Sequence, residues 1–338
     1  MKIVIFGASG YAGAEVLRLA GSHPELEVVG VVAESNAGKL VSEHQPALAA
    51  LYPDLRFVDT QTALQLEFSL AFLALPHGHS QQLVKGLVER GIQCVDLGAD
   101  FRLKDASVFE RWYGSAHEAS DLLGLSVYGL VERHRSELFG AKLIASPGCY
   151  PTATSLAVGP FADAGWISKS GLIVNALSGT SGAGRATQDR LHHSRLASNA
   201  EAYGLSTHRH TPEMEQELGI ELLFTPHLVP VARGMLVTAY GSLREDQRST
   251  AEALDLLRHV YSDDPFVIVT DEPPSLKDPV GSNLCFVSAR VDERTKTLIM
   301  MSSLDNLIKG AAGQAIQAWN VSLGHSESLG LPLSGVTP

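Results

Sequence analysis

The segment Ser146-Pro147-Gly148-Cys149-Tyr150-Pro151-Thr152 sets a cysteine at what reads as the mouth of a helix. Gly148 gives the backbone room for a sharp turn, Pro151 suits an early helical position, and Thr152-Ala153-Thr154-Ser155-Leu156-Ala157 continues with a helical pattern. The positive end of a helix stabilises a thiolate over a thiol, so this placement lowers the Cys149 pKa toward working pH and makes it a nucleophile. An arbitrary free cysteine is more often a small buried hydrophobe. The Gly-Cys-x-Pro setting reverses that preference for Cys149, whereas Cys94, inside a strand pattern, reads as packing.

A thiolate nucleophile needs an acid/base partner, and imidazole titrates near neutrality. The chain has 13 histidines, so an unspecified one is better read as solvated or packed. His208-Arg209-His210-Thr211-Pro212-Glu213 is the best candidate segment. Glu213 either orients an imidazole or caps a helix beginning near Pro212. His192-His193 has no matching third ligand, so no metal is assigned.

A second signal lies at the start of the chain. Lys2-Ile3-Val4-Ile5-Phe6 reads as a strand, Gly7-Ala8-Ser9-Gly10-Tyr11-Ala12-Gly13 as a glycine turn, and Ala14 onward as a helix. The Gly-x-x-Gly-x-x-Gly spacing is a variant of the dinucleotide fingerprint, in which glycines let the backbone approach a pyrophosphate at a helix N-terminus. After the next strand, Glu34 stands where an acid would bond a ribose 2′-hydroxyl, while Ser35, Asn36 and Lys39 suit a 2′-phosphate. Strands at 70–75 and 93–97, with a helical face at 82–88 between them, continue the alternation.

These elements predict a Rossmann-type doubly wound parallel sheet over 1–148. Beyond Cys149 the segments lengthen, at 171–177, 222–227, 235–240, 283–291 and 297–301, which predicts a second, α+β domain of largely antiparallel sheet over 149–304. A small-residue helix over about 305–322 is expected to pack back on the first domain. The tail after Leu323 is rich in Gly, Ser and Pro and reads as mobile.

Composition fits this plan. With 338 residues and 45% apolar content there is enough to fill two cores. Lys and Arg number 26 against 37 Asp and Glu, a net charge of −11, which argues against nucleic acid or an anionic membrane as partner. Three widely spaced cysteines give neither a disulfide framework nor zinc spacing. With no signal-peptide pattern and no apolar run near the roughly 18 residues that span a bilayer, a cytoplasmic location is expected.

The motifs together resemble the N-acetyl-gamma-glutamyl-phosphate reductase family. The resemblance rests on the Gly7–Gly13 turn, Ala74-Leu75-Pro76-His77-Gly78, Asp96-Leu97-Gly98-Ala99-Asp100-Phe101-Arg102 and Pro147–Thr152. It continues through Ser178-Gly179-Thr180-Ser181-Gly182-Ala183-Gly184, His208–Glu213, Pro226–Gly234 and Asp305–Gly313, and so covers nearly the whole chain. One departure is Ala33-Glu34-Ser35-Asn36, where the family more often carries a serine- and arginine-rich run. The resemblance implies NADPH-dependent reductive dephosphorylation of an acyl phosphate through a Cys149 thioester, the third step of arginine biosynthesis, by a homodimer or homotetramer. It implies His210 as the acid/base. Cofactor contacts are expected from the Gly7–Gly13 turn, Ser35, Pro76, Ser178, Gly179, Gly182, Gly184 and Asn306, the last as a partner for the nicotinamide amide or a helix cap. An anionic substrate needs cations, and Arg102, Arg185, Arg209 and Arg233 lie in or beside the motifs. Arg102, Arg185, His208, Glu213 and Arg233 are the expected substrate contacts. Related reductases of aspartyl phosphate or carrier-bound aminoadipyl phosphate, and a non-catalytic dinucleotide sensor, remain alternatives.

Overall fold

The structure, a computed structural model, describes residues 1–245 and 247–336. The chain divides into two compact units: Met1–Pro147 with Ala311–Leu331, and Gly148–Gly310 with the tail from Pro332.

The first unit is built on six strands: β1 (Lys2–Phe6), β2 (Glu27–Val32), β3 (Leu70–Leu73), β4 (Gln93–Asp96), β5 (Ser126–Tyr128) and β6 (Leu143–Ala145). Their order is β2-β1-β3-β4-β6-β5, and every pairing is parallel. β3, β4 and β6 are buried along their whole length, as strands covered on both faces must be. Strand order reverses at β1, so the turn after β1 and the loop after β3 leave the sheet at its switch point. The core runs from Val4, Phe6 and Leu73 to Val84, Leu87 and Leu143. Cys94 is fully buried there, and desolvation pushes its thiol far above the usual range.

The small-residue helix runs over Gly313–Ser322, preceded by a π-turn at Ile308–Ala312. It packs on β4, β6 and the helix Tyr11–Ala20. The following segment is held, contrary to the expectation of mobility. Asn320 Nδ2 donates to Leu329 O at 2.9 Å, Arg135 pairs with Glu327 at 2.7 Å, and Leu331 is buried. These are long-range partners, invisible in a tail's own composition.

The second unit carries seven strands: β7 (Leu172–Ser178), β8 (Glu201–Ala202), β9 (Leu222–Leu228), β10 (Met235–Ser242), β11 (Val267–Val269), β12 (Cys285–Asp292) and β13 (Thr297–Leu304). The order is β11-β12-β13-β10-β7-β9-β8. The four pairings β12/β13, β13/β10, β10/β7 and β9/β8 are antiparallel, while β11/β12 and β7/β9 are parallel, so the sheet is mixed. One face is covered by the helix Cys149–Asp163, which packs on β10, β12 and β13 and on the helix Thr211–Leu218. Every residue from Tyr150 to Phe161 in it is buried, as expected of a helix whose sequence is apolar or small all round. Its polar backbone is answered from inside: Ser302 Oγ donates to Ala153 O at 2.7 Å, and Tyr261 Oη donates to Leu156 O at 2.6 Å.

Two glycines of the first unit make a test. Gly7 has φ +78°, and a Cβ there would lie 2.3 Å from Ala74 O. Gly86, exposed in the helix Gln81–Glu89, would meet nothing within 4 Å. Gly7→Ala should therefore destabilise by more than about 1 kcal/mol, and Gly86→Ala should stabilise by about 0.5–1 kcal/mol, in urea unfolding.

Candidate active site

In the first unit, the glycine turn follows β1 because only glycine fits it. Besides the clash at Gly7, a Cβ on Gly13 would lie 2.3 Å from Gly7 O. The Gly7 and Ala8 N–H groups both donate to Val32 O, folding the turn back over β2. The helix Tyr11–Ala20 begins at Gly10 with no side-chain cap, and the positive end of such a helix suits an anion such as a pyrophosphate. This cradle fits a dinucleotide.

After β2, Glu34 Oε1 accepts from Thr60 Oγ1 at 2.6 Å and from Thr60 N at 3.0 Å. Ser35 beside it is exposed, and Lys39 Nζ donates to Asn36 Oδ1 at 3.1 Å. Pro76 is exposed in the loop after β3. That loop is fastened by Asp100, whose carboxylate accepts from Gly78 N at 2.6 Å and Ser80 N at 3.1 Å. Ser80 Oγ lies 2.8 Å from Asp100 and 3.1 Å from Asp96. Burial first, and then the Asp100 charge, push the Asp96 pKa up to about 7, against the Gly98 N–H, Arg102 and Ser80. Arg102 is buried, with Nε donating to Ser146 O and Nη2 to Leu97 O, both at 2.8 Å.

In the second unit, Cys149 is the first residue of its helix and Gly148 the N-cap. Pro151 stands third, still within the turn whose N–H groups have no intrahelical partner. Glu213, buried on the helix Thr211–Leu218, accepts from Gly148 N at 2.8 Å. Thr152 Oγ1 donates to Gly148 O at 3.0 Å, fixing the next peptide, the one that joins Gly148 to Cys149. A Cβ on Gly310 would lie 2.7 Å from Cys149 Cβ, so glycine is required where the 305–310 turn passes the thiol residue.

Tyr150 meets the two histidines, its ring 5.4 Å from that of His208 and 5.9 Å from that of His210. Tyr150 Oη and Tyr203 Oη are hydrogen-bonded at 2.8 Å. His210 N donates to His208 Nδ1 at 3.2 Å, so that nitrogen is an acceptor and His208 is a neutral imidazole protonated on Nε2. Burial first, then the charges of Arg209 and Arg190, lower its pKa to about 4.

Cys149, Tyr150, His208, His210 and Glu213 thus form one cluster. A second cluster holds Ser178, Gly179, Gly182, Arg233 and Asn306. Gly179 N donates to Gly234 O at 2.9 Å, and a Cβ on Gly179 would lie 2.9 Å from Ala232 O. One on Gly182 would lie 2.8 Å from Ser178 Oγ, while Gly184 has φ +81°. Asn306 does not cap a helix: its Oδ1 accepts from Gly234 N at 2.9 Å and its Nδ2 donates to Ser181 Oγ at 2.9 Å. Arg233 pairs with the buried Asp305 at 3.1 Å. Arg185 is exposed beyond Gly184. Among the described residues no group of three or more His, Cys, Asp and Glu could hold a metal ion.

A profile described as "Semialdehyde dehydrogenase, NAD binding domain" matches residues 2–141, and one described as "Semialdehyde dehydrogenase, dimerisation domain" matches 149–306. The N-acetyl-gamma-glutamyl-phosphate reductase of Brevibacillus brevis is 43% identical over 100% of both chains. That of Symbiobacterium thermophilum is 43% identical over 99% of this chain and 98% of its own. The chain belongs to the N-acetyl-gamma-glutamyl-phosphate reductase family. Its fold is shared with aspartate semialdehyde dehydrogenase II of Vibrio cholerae, at TM-score 0.70 and 17% identity over 95% of this chain and 97% of that one. The aspartate semialdehyde dehydrogenase of Candida albicans, solved with NADP, aligns at TM-score 0.67 and 18% identity over the same shares.

Within this family framework, four groups escaped the sequence reading. Asp305 and Gly310 lay inside a recognised motif but had no assigned role. Tyr203 and Arg190, whose guanidinium lies 4.9 Å over the Tyr203 ring, sit in a stretch with no periodic pattern to place them. The lowered His208 pKa has a sign that can be checked. Between pH 6.5 and about 4 the unfolded chain binds a proton that the native state refuses, so stability falls as pH falls through that window. The full gap corresponds to about 3 kcal/mol. Urea unfolding of the wild type and His208→Phe at pH 7 and pH 4.5 should show a smaller acid loss in the variant; equal losses would return His208 to an ordinary pKa.

Proposed function

We propose that the chain reduces N-acetyl-gamma-glutamyl phosphate to N-acetylglutamate 5-semialdehyde, releasing phosphate, in arginine biosynthesis in the cytoplasm. The observation that carries the reading is Cys149 at the N-terminus of a buried helix, beside a histidine pair and a buried glutamate that fixes the N-cap peptide. We assign dinucleotide binding to 1–148 and the acyl chemistry to 149–304.

The Cys149 thiolate adds to the acyl carbonyl, and the C–O bond to phosphate breaks, leaving a thioester and free phosphate. Backbone N–H groups at the helix start stabilise the oxyanion of that addition. NADPH, when bound, supplies the hydride that reduces the thioester. Cys149 then leaves as thiolate when the C–S bond breaks and the aldehyde forms. His210 takes the thiol proton and passes it to the departing phosphate. His208, neutral and ring-packed, fixes the His210 backbone through its Nδ1 and lies where the substrate is held. Arg233, with Arg185, receives substrate anions, whereas Arg102 is engaged through Nε and Nη2 by Ser146 O and Leu97 O.

The preference for NADP is supported by Glu34, whose carboxylate is turned onto Thr60, and by the exposed Ser35 next to it. The glycine cradle of residues 7–13 fits the pyrophosphate, and the Ser178–Gly184 loop with Asn306 fits the nicotinamide end.

The assembly we propose is a homodimer formed through the uncovered face of the seven-stranded sheet. In the β9/β7/β10/β13 register Leu223, Ile173, Tyr240 and Ile299 form one row across it. Leu223 is 54% exposed and Ile173 39%, an apolar strip that a second copy would cover. The profile spanning 149–306 is described as a dimerisation domain. Leu223→Lys with Ile173→Lys should shift the sedimentation coefficient to that of a monomer; an unchanged value would place the interface elsewhere.

The reaction is tested in reverse, by phosphate-dependent reduction of NADP with N-acetylglutamate semialdehyde, with the aspartate analogue and NAD as controls. Cys149→Ala should lower turnover by about a thousandfold or more while leaving NADP binding by calorimetry unchanged. Dinucleotide binding without turnover of any semialdehyde in the wild type would favour a sensor instead.

A further inference from the structure

Asp305 is a fully buried acid with more donors than a surface ion pair would gather. Its carboxylate faces the Arg233 guanidinium, with Nη2 at 3.1 Å from Oδ1 and Nε at 3.1 Å from Oδ2. It also accepts from Gly281 N at 2.8 Å, Leu307 N at 2.8 Å and Ile308 N at 3.2 Å. Its backbone carbonyl accepts from Gly310 N at 2.9 Å. One residue therefore joins three things: the guanidinium, the loop at 279–282, and the turn whose Gly310 lies against Cys149.

We propose that Asp305 is a positioning residue that aims Arg233 at the substrate anion and fixes the 305–310 turn against the nucleophile. A lone arginine reaching toward an acyl phosphate or carboxylate would lose most of its rotamer freedom on binding. The side-on pairing with Asp305 engages Nε and Nη2, settles the guanidinium plane before substrate arrives, and leaves the Nη1 edge as the one directed away from the pair. Asp305 can hold this geometry because the three backbone N–H groups compensate its removal from water. Asn306 secures the adjoining peptide by accepting from Gly234 N, so the residue following Arg233 is fixed as well. Two consecutive side chains, Asp305 and Asn306, thus clamp two consecutive residues, Arg233 and Gly234.

The inference rests on the proposed reading of Arg233 as a substrate contact, and the test separates the two. Asp305→Asn keeps an amide oxygen for the Leu307 and Ile308 N–H groups but removes the charge facing Arg233. In the phosphate-dependent assay it should raise KM for N-acetylglutamate semialdehyde or for inorganic phosphate about tenfold or more, with kcat within about threefold. NADP affinity and the rate of Cys149 alkylation by iodoacetamide should stay within about twofold, which a general loss of structure would not allow. On an Arg233→Gln background, which should itself raise the same KM, Asp305→Asn should add less than about twofold, because the two act through one interaction. Unchanged KM values in Asp305→Asn, or full additivity with Arg233→Gln, would overturn the positioning role while leaving the reaction standing. An Arg233→Gln variant with unaltered KM values would overturn both the contact and the inference.

Discussion

The hydrogen bond from the Gly148 N–H to the buried carboxylate of Glu213 sets the position from which the thiol chemistry follows. A helix that starts inside a protein must have its first N–H groups satisfied or kept for a ligand. If a side-chain cap filled that role here, the helix end would be closed to an oxyanion. Instead the acceptor comes from a neighbouring helix and takes the N-cap peptide, one residue before the cysteine. The start of the helix is anchored without a cap that would compete for the groups facing the substrate. Thr152, folding its hydroxyl onto Gly148 O, holds the following peptide, the one that joins Gly148 to Cys149.

Anchoring at one end works only because the rest of the helix cannot shift. Residues 150–161 are buried all round, and two of their backbone carbonyls, Ala153 O and Leu156 O, accept from Ser302 and Tyr261. Close approach of the 305–310 turn then requires Gly310, since a methyl group there would overlap the Cys149 side chain. The catalytic geometry is therefore a packing result. Small residues in the Asp305–Gly313 motif are needed at particular contacts, and an alternating or helical hydrophobic pattern would not reveal which.

Much of the fold was legible for an ordinary reason: the first unit is assembled from strand, turn and helix in chain order, and its first four strands carry their own signal, while β5 and β6, three residues each, do not. The Gly7–Gly13 turn declared itself because its constraint is local, a positive φ and a close backbone contact. The second unit read less well. Five of its seven strands were found, the short β8 and β11 were not, and the expected largely antiparallel pairing holds except that β9 lies parallel to β7 and β11 parallel to β12. Direction is set by crossover connections, which residue periodicity does not encode. In the same way Cys149 was marked by its neighbours, whereas Arg233 and Asp305 are 72 residues apart and show their pairing only in three dimensions.

Two of the molecule's buried carboxyl sites show how burial is put to opposite uses. Asp96 and Asp100 share Ser80, and burial together with the Asp100 charge raises the Asp96 pKa to about 7, so that it is partly neutral near neutrality. Asp305 is equally buried, but a guanidinium and three backbone N–H groups surround it, the environment an ionised carboxylate needs. The first arrangement fastens the loop after β3 with little charge. The second stores a full charge beside Arg233 and fixes its direction. A fastening needs only satisfied hydrogen bonds, whereas aiming a cation requires a fixed anion, and the difference in partners follows from that difference in task.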